Sequence, residues 1–216
     1  MRSTSVLLIG VLTALLCYSA PGQDADIKEK EAQLRDMKGL AARATPEDYQ
    51  SHVKAGQFTL AGEFDGHAFP TADGVYDSED FIAVEFALYG PPGARKQIVL
   101  SDFELRINGK KTLSPQPSEL VLHSLKDPQW APPPTEQKSK TSIGSGGNQD
   151  SAPPAPVHMP FELQRAMEIK VQKAALSEGD RALPVAGLLF FEYHGKEKGI
   201  RSIELTYAGT ALPFQP

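Results

Sequence analysis

The chain has 216 residues, a formal net charge of −5 and 40% hydrophobic residues, with 18 prolines, 18 glycines and one cysteine. This length suits one ordinary domain with additional segments, and the proline and glycine content favours turns over long helices. Nucleic-acid binding needs a basic surface, and the sequence contains no basic cluster. The composition therefore argues against a nucleic-acid-binding protein.

Residues 1–22 predict a signal peptide. Arg2 provides a positive charge, and residues 6–16 form an apolar run that is too short to span a bilayer. Cleavage after Gly22 fits the preference for small residues at the cleavage site, and cleavage after Ser19 is the alternative. We therefore expect a secreted or periplasmic protein without a transmembrane segment in the mature chain.

The single cysteine, Cys17, lies inside this signal peptide. Lipid attachment to Cys17 is an alternative, although Leu16 disfavours it because a small residue usually precedes a lipidated cysteine. If the signal peptide is cleaved after Cys17, the mature chain has no cysteine, and disulfides and thiolate chemistry are excluded.

Residues 23–55 predict a helical segment. Apolar residues recur every seven positions within the charged residues 24–44, as in an amphipathic helix that either lies on the domain or binds a partner helix. Thr45 and Pro46 then suit the N-cap and the first position of a second helix, which would extend to about Lys54.

A first strand is predicted by the alternation of Phe58, Leu60 and Phe64, and residues 65–80 then predict a polar loop. Calcium prefers several oxygen ligands, so the acids of this loop form a calcium hypothesis. An ordinary charged turn is the alternative, because EF-hand spacing is absent. The candidate ligands are Asp73, Asp77, Glu79 and Asp80.

The clearest strand pattern covers residues 81–89 and ends at the Gly-Pro-Pro-Gly sequence that follows. Two sets of side chains alternate along it, and we predict that the first set is buried and the second partly solvated. The first set is Ile82, Val84, Phe86 and Leu88; the second is Ala83, Glu85, Ala87 and Tyr89.

Further short strands are predicted at residues 97–100, 103–107 and 120–122. The dipeptide at positions 108–109 is Asn-Gly, whose two residues accept positive φ, so it predicts a tight hairpin turn. Residues 110–113 would then form the returning strand.

Residues 127–159 predict a long disordered loop, because proline, glycine and serine dominate and too little apolar area is present to offset chain entropy. Trp130, the only tryptophan, is interpreted either as a hydrophobic anchor for this loop or as an exposed aromatic for partner contact.

A helix is predicted over residues 160–176, with Leu163, Met167, Val171 and Ala174 on its apolar face. Three strands follow, at about residues 188–193, 203–207 and 210–214.

Together, about seven short antiparallel strands with Gly/Pro turns predict a mainly β fold. We expect an immunoglobulin-like antiparallel β-sandwich over residues 56–216, with N-terminal helices, one inserted helix and the long disordered loop. The first face of strand 81–89 would share one core with Phe103, Leu105, Ile107, Ile203 and Leu205.

Two resemblances accompany this pattern. Residues 81–113 resemble the middle of telokin-like immunoglobulin-type domains of bacterial secreted proteins, and residues 186–191 with 202–207 resemble their closing pair. Gly66-His67, Ser124–Trp130 and Leu183–Tyr207 resemble uncharacterised secreted proteins of acidobacteria. These resemblances imply an immunoglobulin-like fold and assign no catalytic residue.

No catalytic motif is present in the sequence: there is no HExxH or GxSxG spacing. We expect a non-catalytic protein that uses no cofactor and binds a protein or cell-envelope partner. The alternative is a carbohydrate-active or hydrolytic accessory protein of the envelope. The histidines are scattered at His52, His67, His123, His158 and His194.

Overall fold

A computed structural model describes residues 39–132 and 158–216. These residues form a mainly β structure with several antiparallel sheets and two helices. The predicted signal peptide, the helix predicted at residues 24–38 and residues 133–157 of the predicted loop lie outside the described residues.

The helices are α1 (Ser118–Val121) and α2 (Phe161–Ala174). The strands are β1 (Ser51–Ala55), β2 (Phe58–Gly66), β3 (Ala68–Thr71), β4 (Gly74–Ser78), β5 (Phe81–Tyr89), β6 (Arg95–Ile98), β7 (Phe103–Ile107), β8 (Lys111–Leu113), β9 (Pro115–Gln116), β10 (Leu125–Lys126), β11 (Gly179–Ala182), β12 (Val185–Glu192), β13 (Ile203–Tyr207) and β14 (Thr210–Phe214).

Two larger sheets organise the described residues. The first has five strands in the order β1-β2-β5-β12-β9, and the second has four in the order β14-β13-β7-β8. A three-stranded sheet, β10-β4-β3, and a two-stranded sheet, β11-β6, complete the structure. Of the three final predicted strands, β13 and β14 pair with each other, whereas β12 pairs with β5 and not with β13.

One buried cluster joins the two larger sheets, as predicted from the alternation in β5. The first face of β5 packs with apolar residues of β7 and β13, so side chains far apart in sequence share one core. The predicted members are all present: Ile82, Val84, Phe86, Leu88, Phe103, Leu105, Ile107, Ile203 and Leu205.

The second face of β5 is also buried, so the prediction of a partly solvated face is wrong for Ala83, Glu85 and Ala87. Ala83 lies in a second cluster with the β3–β4 hairpin and α2, which cover this face. Ala87 packs against Tyr49 in a third, smaller cluster. The second face of β5 is therefore excluded from solvent by elements that the alternation within β5 does not reveal.

Two helix predictions are wrong within the described residues. Residues 41–43 are irregular, and Leu40 forms an isolated bridge to Ala186. The helix predicted from Thr45 is only one 3-10 turn, Pro46–Asp48, after which the chain enters β1. Here β1 forms a hairpin with β2, whose pairing outweighs the local N-cap signal.

Three other predictions need correction. Residues 65–80 are not a polar loop but contain the β3–β4 hairpin, anchored by the buried Phe69 and Tyr76. The strand predicted at residues 120–122 is α1 followed by a 3-10 turn. Helix α2 is confirmed, but Leu163 is 52% exposed and does not belong to its buried face.

Candidate functional site

A cavity of about 950 Å³ lies where three separate segments meet. One wall comes from His67 and the end of β4, the second from residues 126–130 and the third from residues 194–198. We call this cavity the Trp130 cleft. It contains an aromatic side chain and charges of both signs, so it offers stacking, hydrogen bonding and ion pairing together.

Hydrogen bonds fix the wall between His67 and residues 194–198. The His67 ring places Nδ1 2.8 Å from the Phe81 carbonyl oxygen and Nε2 3.0 Å from that of Gly195. The Glu197 carboxylate accepts a hydrogen bond of 2.6 Å from the His67 amide N–H. Both ring nitrogens therefore contact the backbone, and His67 connects its own wall of the cleft to the wall formed by residues 194–198.

His194 at the rim is held by two carboxylates. Its ring nitrogens lie 3.1 Å from Glu192 Oε1 and 3.1 Å from Asp80 Oδ1. These contacts, that to Glu192 first, raise the pKa of His194 above its ordinary value. A positive charge at this exposed rim is favoured as a result.

Asp77 is the cleft carboxyl with a shifted pKa. Burial, followed by the nearby negative charge of Glu197, raises the pKa of Asp77. Two positions along the chain, Glu79 forms an ion pair with Lys126, and both side chains line the cleft.

The four predicted calcium ligands do not come together. Asp77 and Glu79 line the Trp130 cleft, and Asp80 binds His194. Asp73 lies at the β3–β4 turn and lines a different cavity of about 90 Å³. Within residues 39–132 and 158–216, no group of three or more His, Asp or Glu side chains has the arrangement of a metal site.

Trp130 is half-buried and lines the cleft. Its backbone N–H donates to the Asp127 carbonyl at 3.1 Å, within a short turn after β10. Of the residues singled out in the sequence, the structure therefore brings Trp130, Asp77 and Glu79 to one cavity. Sequence reasoning missed the third wall, because residues 194–198 lie far along the chain and look like an ordinary charged turn.

A second polar cluster lies on the buried face of β2 and β5, and we call it the Arg43 cluster. The Arg43 guanidinium binds Glu85 at 2.8 Å, forms an ion pair with Glu63 and lies 4.4 Å from the centre of the Tyr49 ring. The Glu85 side chain is only 8% exposed. A glutamate inside an otherwise apolar strand was the one sequence signal for this cluster, since a buried charge needs a partner.

Asp65 completes the Arg43 cluster. It accepts a hydrogen bond of 3.1 Å from the Glu85 amide N–H. Burial, then the negative charges of Glu85 and Glu63, raise the pKa of Asp65 to about 7. Two acids, Glu63 and Glu85, therefore share the Arg43 guanidinium, which ties residue 43 to the five-stranded sheet.

We found no match to this chain among protein-family models, curated proteins or solved structures. Across the described ranges 39–132 and 158–216, no helix is both long enough and apolar enough to cross a membrane.

Proposed function

We propose that the protein is a secreted or periplasmic, non-catalytic binding protein with an immunoglobulin-like β-sandwich, and that it binds a protein segment in the Trp130 cleft. The shared core of the five-stranded and four-stranded sheets supports the sandwich. The signal-peptide pattern of residues 1–22 supports export.

The observation that carries the binding proposal is the composition of the Trp130 cleft. A tryptophan provides a large apolar surface at low entropy cost, which is typical of interface hot spots. The surrounding side chains carry charges of both signs, so they can complement a peptide that itself carries both signs. The cationic residues are Lys126, Lys196 and Lys198, and the acidic ones are Asp77, Glu79, Asp127 and Glu197.

The bonding of the two histidines supports a non-catalytic role. A general base needs a ring nitrogen free to reach the substrate. In the cleft, both ring nitrogens of His67 face carbonyl oxygens and both of His194 face carboxylates. The histidines therefore build the walls of the cleft.

The experiment is a pull-down from envelope extract with the chain beginning at Gln23. Trp130→Ala is compared with Phe161→Ala, a matched control because Phe161 is an aromatic residue that is 73% exposed and lies outside the cleft. We expect one partner to be retained by the parent and by Phe161→Ala and lost with Trp130→Ala. Equal retention by Trp130→Ala would reject the cleft as the binding site.

The second candidate is a hydrolytic, carbohydrate-active accessory protein, and the raised pKa of Asp77 favours it. A carboxyl that keeps its proton to higher pH suits a general acid, and it lies in the same cavity as an aromatic residue. The test is hydrolysis of purified cell-wall glycan by the parent, by Asp77→Asn and by the control Asp73→Asn. Hydrolysis that is lost only in Asp77→Asn would replace the binding proposal.

A further inference from the structure

A second cavity, of about 470 Å³, lies between the β7–β8 turn and the residues that precede β13. Four of its five lining residues have polar or cationic side chains, and we call it the Arg201 pocket. It is distinct from the Trp130 cleft, since the two have no lining residue in common. The lining consists of Asn108, Lys110, Gly199, Arg201 and Ser202.

One side chain fixes the shape of the Arg201 pocket. Asn108 Nδ2 donates to the Gly199 carbonyl at 2.9 Å, while Asn108 Oδ1 accepts from the amide N–H of Arg201 at 2.7 Å and of Ser202 at 3.3 Å. The Asn108 backbone N–H also donates to the Ser202 carbonyl at 2.9 Å. Asn108 has φ 54°, which the tight turn requires and which asparagine tolerates better than most residues. The two turns are therefore held in a fixed relation before any ligand arrives.

The charge of the Arg201 pocket is opposite to that of the whole protein. The chain carries a net charge of −5, yet the described lining has two cations, Lys110 and Arg201, and no carboxylate. Within residues 39–132 and 158–216, neither cation forms a salt bridge, whereas Arg43, Arg95 and Arg106 each have an acidic partner. Both cations are exposed and line one concavity, so an anion bound there would offset both charges.

We propose that the Arg201 pocket binds a tetrahedral oxyanion, and that a phosphate group is its ligand. The planar guanidinium of Arg201 presents a fork of N–H donors suited to two phosphate oxygens. Lys110 supplies a point charge, and the Ser202 hydroxyl supplies a neutral donor. Free phosphate and the phosphate of an anionic lipid headgroup have this chemistry in common.

The first test is an NMR titration of the full chain with inorganic phosphate at fixed ionic strength. We expect saturable shifts of the Gly199, Arg201 and Ser202 amides, and at least tenfold weaker binding in Arg201→Gln and in Lys110→Gln. Lys54→Gln is the matched control, because it removes one exposed charge on β1. Unchanged melting temperatures would show that the variants are folded.

The second test distinguishes the sources of the phosphate group. Vesicles of phosphatidylglycerol in phosphatidylcholine are compared with vesicles of phosphatidylcholine alone, by cosedimentation. Phosphate binding without vesicle binding identifies a free oxyanion, and vesicle binding that Arg201→Gln abolishes identifies a headgroup. The proposal is overturned if neither probe binds, or if Lys54→Gln weakens binding as much as Arg201→Gln does.

Discussion

The Arg43 cluster yields the sharpest stability prediction. In Arg43→Met, the Glu85 carboxylate keeps only 8% exposure of its side chain and loses its cation at 2.8 Å. Removing one partner of a buried ion pair costs about 3–5 kcal/mol. The Arg43 side chain is 34% exposed, so water offsets part of this loss and we expect about 2–3 kcal/mol. For a domain of this size, that lowers the melting temperature by about 5–10 °C.

The assay is urea and thermal denaturation at neutral pH, with a double variant and a control. Arg43→Met/Glu85→Gln removes the unpaired charge, so we expect it to regain more than half of the lost stability. Arg106→Met is the matched control, because its pair with Glu204 is exposed and should cost less than about 1 kcal/mol. A cost for Arg43→Met no greater than for Arg106→Met, or a double variant no more stable than Arg43→Met, would show that Glu85 does not depend on the Arg43 charge.

Three further predictions concern the core and the titration of Asp65. The folded protein holds the Asp65 proton up to about pH 7, whereas the unfolded chain releases it near 3.8. At about 1.4 kcal/mol per pH unit, stability should therefore fall by up to about 4 kcal/mol between these pH values. Asp65→Asn should remove this fall in a series of urea melts, whereas an identical pH profile would contradict it. The Tyr207 hydroxyl is buried without a hydrogen-bond partner among the described residues, so Tyr207→Phe should raise the free energy of unfolding by about 1 kcal/mol, and a loss of stability would mean that the hydroxyl is bonded. Phe86 is fully buried, so Phe86→Ala should cost about 3–5 kcal/mol in the same assay, while the exposed Leu163→Ala should cost almost nothing; equal costs would contradict the assigned core.

Secondary structure could be predicted from the sequence where the pattern of apolar residues is local and periodic. Strand β5 was predicted with its correct limits, and the Asn-Gly turn at Asn108 has the positive φ that its residue types favour. The residues of β7 and β13 that pack on the first face of β5 were also predicted, because a fully apolar strand face can be buried only against other apolar faces.

Secondary structure could not be predicted from the sequence where tertiary contacts override a local signal. Thr45 and Pro46 do start a helical turn, but Val53 pairs with Leu60, and this hairpin prevents the helix from continuing. Residues 65–80 form a hairpin because Phe69 finds an apolar partner, Phe190, at 5.2 Å between ring centres. No count of polar residues in that stretch could have revealed this contact.

The candidate site could be predicted only in part from the sequence, because it too depends on tertiary contacts. Trp130 and two of the acids were singled out by residue type, whereas the third wall of the cleft depends on the hydrogen bonds of His67 to Gly195 and Glu197. His67 lies about 130 positions from these two residues, and the pairing of β2 with β5 and of β5 with β12 brings the two segments together. A site assembled from three distant segments has no local spacing that a sequence motif could capture.

Site-specific photocrosslinking would show whether the Trp130 cleft binds a protein segment. A photoreactive amino acid replaces Trp130 in one variant and the exposed Phe161 in the other, and each is irradiated in envelope extract. We expect one discrete protein adduct from position 130, competed by excess unlabelled parent protein, and none from position 161. The same adducts from both positions, or none from position 130, would contradict it.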